Sequence, residues 1–256
     1  MPNAAHTDRL DDDLAGKVAV VTGTAQGIGR CIAQRFARSG AHVYALDIMP
    51  SAGLETEQGH GTITAIALDL RQADAITGFF DILAAKRGRV DILVNNAAME
   101  TPMGTVADLT LADWNAAIAV NLTAAFLMSK HAVPLMRDGG SIINLASTFA
   151  HVGRPGQAVY SATKGALLAL TRTMAIDHAA QGIRVNSLSP GAIATERLVK
   201  RHGSLARANE VMGPLHPLGR IGTPEEIAEA ALFLASPRSS FMTGADLRPD
   251  GGYCAQ

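Results

Sequence analysis

Apolar residues along the chain come in short runs rich in Val, Ile and Leu, separated by longer stretches that repeat with helical period. The runs are Val18–Val21, His42–Leu46, Ile63–Leu68, Ile92–Val94, Ser141–Leu145, Arg184–Leu188 and Ala245–Arg248. Between them, Gly29–Ser39, Ala73–Lys86, Leu111–Met136, Ala158–Ala180 and Pro224–Leu234 have the spacing of helices with one apolar face. Hydrophobic strands alternating with helices predict an α/β fold, a doubly wound sheet of seven parallel strands with helices on both faces.

No linker, repeat or low-complexity run divides residues 14–256, so a single domain is expected. Residues 1–13 are polar and end in Asp11, Asp12 and Asp13, which predicts a flexible tail. The stretch from Pro190 to about Thr223 breaks the rhythm. It holds Pro190, Gly191, Pro214, Pro217 and Gly219 around a polar helical segment, Glu196 to Met212. An insertion of this length after the carboxyl end of a strand predicts a lid over a ligand.

Composition removes several function classes. At 256 residues, 48% apolar and 18% charged, the chain can bury a sizeable core. A net charge of −1 supplies no basic field for nucleic acid. Val18–Val21 and Gly165–Leu170 are too short to cross a bilayer, and Asn121 and Thr123 interrupt the longer Ala116–Met128. The first residues lack the basic and apolar regions of a secretory signal. Cys31 and Cys254 make no disulfide framework, and the eight histidines lack zinc-type spacing. The expectation is a soluble cytoplasmic protein with a small-molecule partner, no nucleic acid, no membrane and no metal.

Two local patterns carry chemistry. Lys17 to Arg30 runs from a strand into a helix with glycines at 23, 27 and 29. Such a turn presents backbone N–H groups and a helix dipole to a phosphate, and glycine lets a pyrophosphate approach. Asp47 closes the second strand twenty residues after Gly27, where a carboxylate reaches ribose hydroxyls and repels a 2′-phosphate. No arginine follows it, and Ala25 and Gln26 occupy the glycine loop, so the pattern points to NAD rather than NADP. Further on, Tyr160 and Lys164 stand four apart, thirteen residues after Ser147. On a helix that spacing sets a phenol beside an ammonium. A free tyrosine titrates at about 10, and a neighbouring cation favours its phenolate, as acid–base catalysis near neutrality requires.

With Thr22–Gly29, Asn95-Asn96-Ala97-Ala98, Asn121, Ser147, Tyr160, Lys164 and Pro190-Gly191 in this order, the chain resembles the short-chain dehydrogenase/reductase family from about Lys17 to Tyr253. Ala98 departs from the glycine often found there. The resemblance implies a Rossmann-like fold and alcohol–ketone interconversion with a nicotinamide cofactor. It implies that Gly23, Gln26, Gly27, Ile28 and Gly29 cradle the pyrophosphate and Asp47 binds a ribose. Asp69 and Leu70 match an adenine-contact pair, Asn95 and Ala97 the segment beside the second ribose. Ile193 and Thr195, after Pro190-Gly191, match the nicotinamide carboxamide contacts. Asn121, Ser147, Tyr160 and Lys164 match a catalytic tetrad, with Tyr160 and Lys164 also touching cofactor. Glu100, Phe149, His151, Arg154 and Gln157 are substrate-site candidates, and a homotetramer is implied.

The substrate stays open between a sugar, polyol or other small hydroxylated molecule, a 3-oxoacyl carrier-protein thioester, and a steroid or other hydrophobic alcohol. Met103, Phe149, Leu198 and Met212 could line an apolar pocket for the last. A non-catalytic NAD-binding sensor is the rival of another class.

Overall fold

The structure is a computed structural model that describes residues 13–49, 53–54 and 61–256. Of the tail expected at 1–13, all but Asp13 lies outside these residues. Seven strands form one parallel sheet in the order β3-β2-β1-β4-β5-β6-β7. They are β1 (Val18–Thr22), β2 (His42–Asp47), β3 (Thr62–Ala67), β4 (Ile92–Asn95), β5 (Gly140–Leu145), β6 (Ile183–Leu188) and β7 (Asp246–Leu247). The order reverses direction between β1 and β4, and in such a sheet the crevice outside the carboxyl ends at that point is where ligands bind.

Period-2 alternation along the strands builds two cores. From β1, Ala19 and Val21 face α1 (Gly27–Arg38) and α8 (Pro224–Ala235), while Val18 and Val20 face the opposite layer. That second layer is α2 (Ala73–Arg87), α4 (Ala124–Ala132) and α5 (Ala158–Asp177). Both faces of β1 are therefore dry, which explains its unbroken apolar run. The helix starts are coded locally. Thr110 and Asp113 form a reciprocal cap at α3 (Leu111–Ile118), and Thr223 and Glu226 do the same ahead of Pro224.

Two expected helices are not continuous. The run Leu111–Met136 is α3, a π turn over Ala119–Thr123, α4, and a short 3₁₀ turn over Val133–Leu135. The π turn centres on Asn121, which is 1% exposed, and such bulges interrupt helices where a side chain must be re-aimed. By length and composition alone Leu111–Leu135 could cross a bilayer; here it packs against α2 and α5. Glu196–Met212 divides into α6 (Glu196–His202) and α7 (Leu205–Met212). Gly203 turns the chain at φ +86°, and Ser204 caps α7 through the Arg207 N–H. The remaining differences are shifts of element ends by one to three residues.

Candidate active site

The carboxyl ends of the central strands open into a cleft of about 390 Å³. Its first half is backbone. After β1 the chain turns at Gly23 (φ +72°) and Gly27 (φ +57°) into the start of α1, whose amide N–H groups have no side-chain cap. A Cβ on Gly29 would stand 2.1 Å from the Gly23 carbonyl oxygen, and one on Gly23 would stand 2.8 Å from the Ala97 Cα. Only glycine permits this close folding, and it leaves an uncapped helix N-terminus facing the cleft, which fits a pyrophosphate. Asn96 braces the turn, its amide donating to the carbonyls of Thr22 (2.8 Å) and Gly23 (3.1 Å). Asp47 lies on the rim, where its carboxylate accepts from the N–H groups of Ala25 (2.9 Å) and Met49 (3.1 Å).

The second half is made of side chains. Tyr160 and Lys164 share a face of α5, with the lysine Nζ 5.7 Å from the phenol ring centroid. Lys164 is 2% exposed and donates to the Leu145 carbonyl at the end of β5 (2.5 Å). Burial, with the Arg197 charge adding, lowers its ammonium to about 7. Ser147, just after β5, accepts from the Phe149 N–H (3.2 Å) and lines the same wall. Asn121 lies behind this wall rather than on it. Its Oδ1 accepts from the Met99 N–H (2.9 Å) and its Nδ2 donates to the Thr163 hydroxyl (3.3 Å), tying the strand β4 loop to α5 beside Lys164.

Most residues singled out in the sequence meet in this cleft. Gly23, Gln26, Gly27, Ile28, Gly29, Asp47, Ala97, Glu100, Ser147, Phe149, Arg154, Gln157, Tyr160, Lys164, Pro190, Gly191, Ile193 and Thr195 all line it. Four others do not. Asn95 has the parity of Leu93 on β4 and so turns into the α4 layer, donating to Asn144 Oδ1 (2.8 Å) and Ser129 Oγ (3.2 Å). Its neighbour Asn96 takes the cleft wall. Asp69 is held in a bidentate pair by Arg71, and neither it nor Leu70 reaches the lining. His151 pairs with Asp246 of β7 (2.8 Å) and is not part of the lining. Among the expected apolar lining, Leu198 and Met212 reach the cleft and Met103 is exposed outside it.

The sequence reading passed over Arg197, His216 and Tyr253, which also line the cleft. Arg197 donates to the Ala98 carbonyl (2.7 Å), while Lys200 and Arg201 pair with Glu100, so α6 is fastened across the opening. His216 is wedged in one neutral tautomer. Its Nδ1–H donates to the Met212 carbonyl (2.8 Å) and its Nε2 accepts from the Ala192 N–H (3.2 Å). Tyr253 packs on that imidazole and on Phe149, closing an aromatic corner next to Tyr160. The only signal for His216 in the sequence is its position between Pro214 and Pro217 in the segment expected to form a lid.

Known proteins decide the family. A family model described as enoyl-(acyl carrier protein) reductase matches residues 23–254. The chain belongs to the short-chain dehydrogenase/reductase family. It is 37% identical to a cis-4-hydroxycyclohexanecarboxylate dehydrogenase of Sinomonas cyclohexanicum, over 96% of this chain and 100% of that protein. It is 38% identical to a 3-oxoacyl-[acyl-carrier-protein] reductase of Thermotoga maritima, over 93% and 98%. A solved structure from Beutenbergia cavernae with NADP bound at low occupancy matches with a TM-score of 0.88, 36% identity, and 96% and 100% coverage. The protein is thus an oxidoreductase of this family, with its seven parallel strands in one doubly wound sheet.

Proposed function

We propose that this short-chain dehydrogenase/reductase is an NAD(H)-dependent enzyme that interconverts a secondary alcohol and a ketone on a small hydroxylated substrate such as a sugar or polyol. One observation carries the reading: Tyr160, Ser147 and Lys164 line the same cleft as a glycine cradle rimmed by the Asp47 carboxylate. A bound nicotinamide ring supplies the hydride acceptor or donor. The Tyr160 oxygen takes the proton of the substrate hydroxyl in oxidation and returns it in reduction. The Ser147 hydroxyl donates to the substrate oxygen and fixes its position. Lys164, its Nζ 5.7 Å from the phenol ring centroid, stands beside Tyr160 and binds nicotinamide ribose hydroxyls. Asn121 serves this group by position, holding Thr163 and the Met99 backbone on either side of it.

The preference for NAD rests on Asp47. Its oxygens accept from two backbone amides, and a carboxylate fixed at the rim accepts ribose hydroxyls and repels a 2′-phosphate. The segment 190–223 acts as a substrate lid, since its fastening to Ala98 and Glu100 uses exposed or half-buried contacts that open at modest cost. A homotetramer is part of the proposal, supported by Leu111, Trp114, Phe126 and Ile176 exposed on the central helices. Both cysteines are free thiols, as suits the cytoplasm.

The test is a panel of polyols and sugars, hydroxyacyl thioesters and steroid alcohols, run with NAD and NADP in parallel and read by nicotinamide absorbance. Turnover of a hydroxylated small molecule with NAD is expected. Turnover of thioesters alone, with NADPH alone, would contradict both the substrate class and the cofactor.

A further inference from the structure

The cleft wall beyond Tyr160 carries a cation, Arg154. The Arg154 guanidinium carbon lies 5.4 Å from the Phe149 ring centroid, and its terminal nitrogens lie 3.8 and 3.7 Å from the Met212 sulfur. Among the described residues no carboxylate pairs with it. The other cations of the cleft have oxygen partners: Lys164 has the Leu145 carbonyl, Arg197 the Ala98 carbonyl, and Arg201 the Glu100 carboxylate. Gln157 lines the same cleft three residues further on, is 4% exposed, and its Nε2 donor has no acceptor.

An amide donor without an acceptor, beside a guanidinium whose only acceptor is a thioether sulfur and whose face lies on an aromatic ring, calls for an anionic acceptor from outside the chain. A half-buried guanidinium offers parallel N–H groups that match a planar carboxylate, and such charge-assisted pairs are about twice as strong as neutral ones. A single positive charge beside a neutral amide balances a monoanion. A phosphate dianion would want a second uncommitted cation. Phe149 is the spacer between this corner and the chemistry, because its ring centroid is also 6.4 Å from that of Tyr160.

We propose that Arg154 and Gln157 form a carboxylate subsite, so that the substrates are small hydroxy acids, and the matching keto acids, with the carboxylate at the end opposite the reacting carbinol. This rests on Tyr160 as the acid–base group. The guanidinium carbon that would hold the anion lies no farther from the Tyr160 ring centroid than the two distances to the Phe149 centroid combined. Arg154 selects by charge, and the Gln157 amide gains the acceptor that the protein does not supply.

The experiment compares 3-hydroxybutyrate, 4-hydroxypentanoate and 5-hydroxyhexanoate with their primary amides, measuring kcat/KM with NAD for the wild-type enzyme and for Arg154→Met. Methionine keeps an apolar stem against Phe149 and Met212 while removing the charge. At least one acid is expected to exceed its amide about tenfold or more, and Arg154→Met is expected to collapse that ratio by about 10- to 100-fold, mainly through KM. Isothermal titration of the same acids into NAD-loaded Tyr160→Phe and Tyr160→Phe/Arg154→Met gives a readout independent of turnover. Binding to the first and its loss in the second, without turnover in the wild type, would leave the subsite standing and sink the dehydrogenase reading. Acids and amides used or bound alike, with no change on removing Arg154, would overturn the subsite.

Discussion

The two halves of the cleft are built from different materials. The cofactor half is a cradle of backbone around Gly23, Gly27 and Gly29, shaped by three missing side chains within seven consecutive residues. The substrate half is a wall of side chains drawn from distant segments, Phe149 to Tyr160, α6 and α7, His216 and Tyr253. The first is local and tolerates no added atom. The second is assembled by the fold and tolerates exchange of one side chain for another. A family can therefore keep one cofactor half and vary the other, which is how one fold serves many substrates.

The contrast can be broken most severely at Gly29. A methyl group there must displace the Gly23 carbonyl, so Gly29→Ala is expected to lower dinucleotide affinity about 100-fold, with a lower melting temperature, by titration and calorimetry. Unaltered affinity would mean the cradle does not hold the diphosphate. Next comes Asp47→Asn, which keeps an acceptor for the Ala25 N–H while removing the charge. The ratio of kcat/KM for NAD over NADP should fall about tenfold or more. A constant ratio would show that the rim charge does not select the cofactor.

A smaller effect reads the electrostatics between the halves. The folded protein lowers the Lys164 ammonium from 10.5 to about 7, so between those values the unfolded chain binds a proton that the folded one has released. Stability of the cofactor-free protein should therefore rise with pH from about 7 towards 10. Lys164→Met should remove that part of the slope, and Arg197→Gln, by deleting a repelling charge, should move its onset to higher pH. Thermal unfolding across pH 6–10 gives both answers, and identical slopes in all three proteins would refute the burial argument. Smallest is Glu100→Gln, which releases Lys200 and Arg201 of the proposed lid from their anchor. Pairs this exposed contribute about 0–1 kcal/mol, so KM should rise only two- to threefold, with kcat little changed.

What could be read in the chain follows the same division. The sheet, its seven strands and the glycine turn were legible because alternation, helical period and φ-permissive residues are local properties. The choice between Asn95 and Asn96 follows from strand parity: Asn95 shares a face with Leu93 and enters the α4 layer. The π turn at Asn121 was not, since an apolar helical pattern does not register one extra residue in a turn. Nor was the partner of His151, because Asp246 meets it only in the fold, whereas Asp69 is taken by Arg71 two residues along. His216 and Tyr253 lie in a proline-rich loop and near residue 256, and the fold alone brings them together, with Tyr253 against Phe149.

The most direct test of the account is a pair of measurements on Tyr160→Phe with the best alcohol substrate found for the wild type. NADH affinity, read by fluorescence titration, should stay within about twofold, while kcat should fall by at least about 100-fold. Turnover that survives the loss of the phenol oxygen would contradict the claim that proton transfer at Tyr160 accompanies hydride transfer in this cleft.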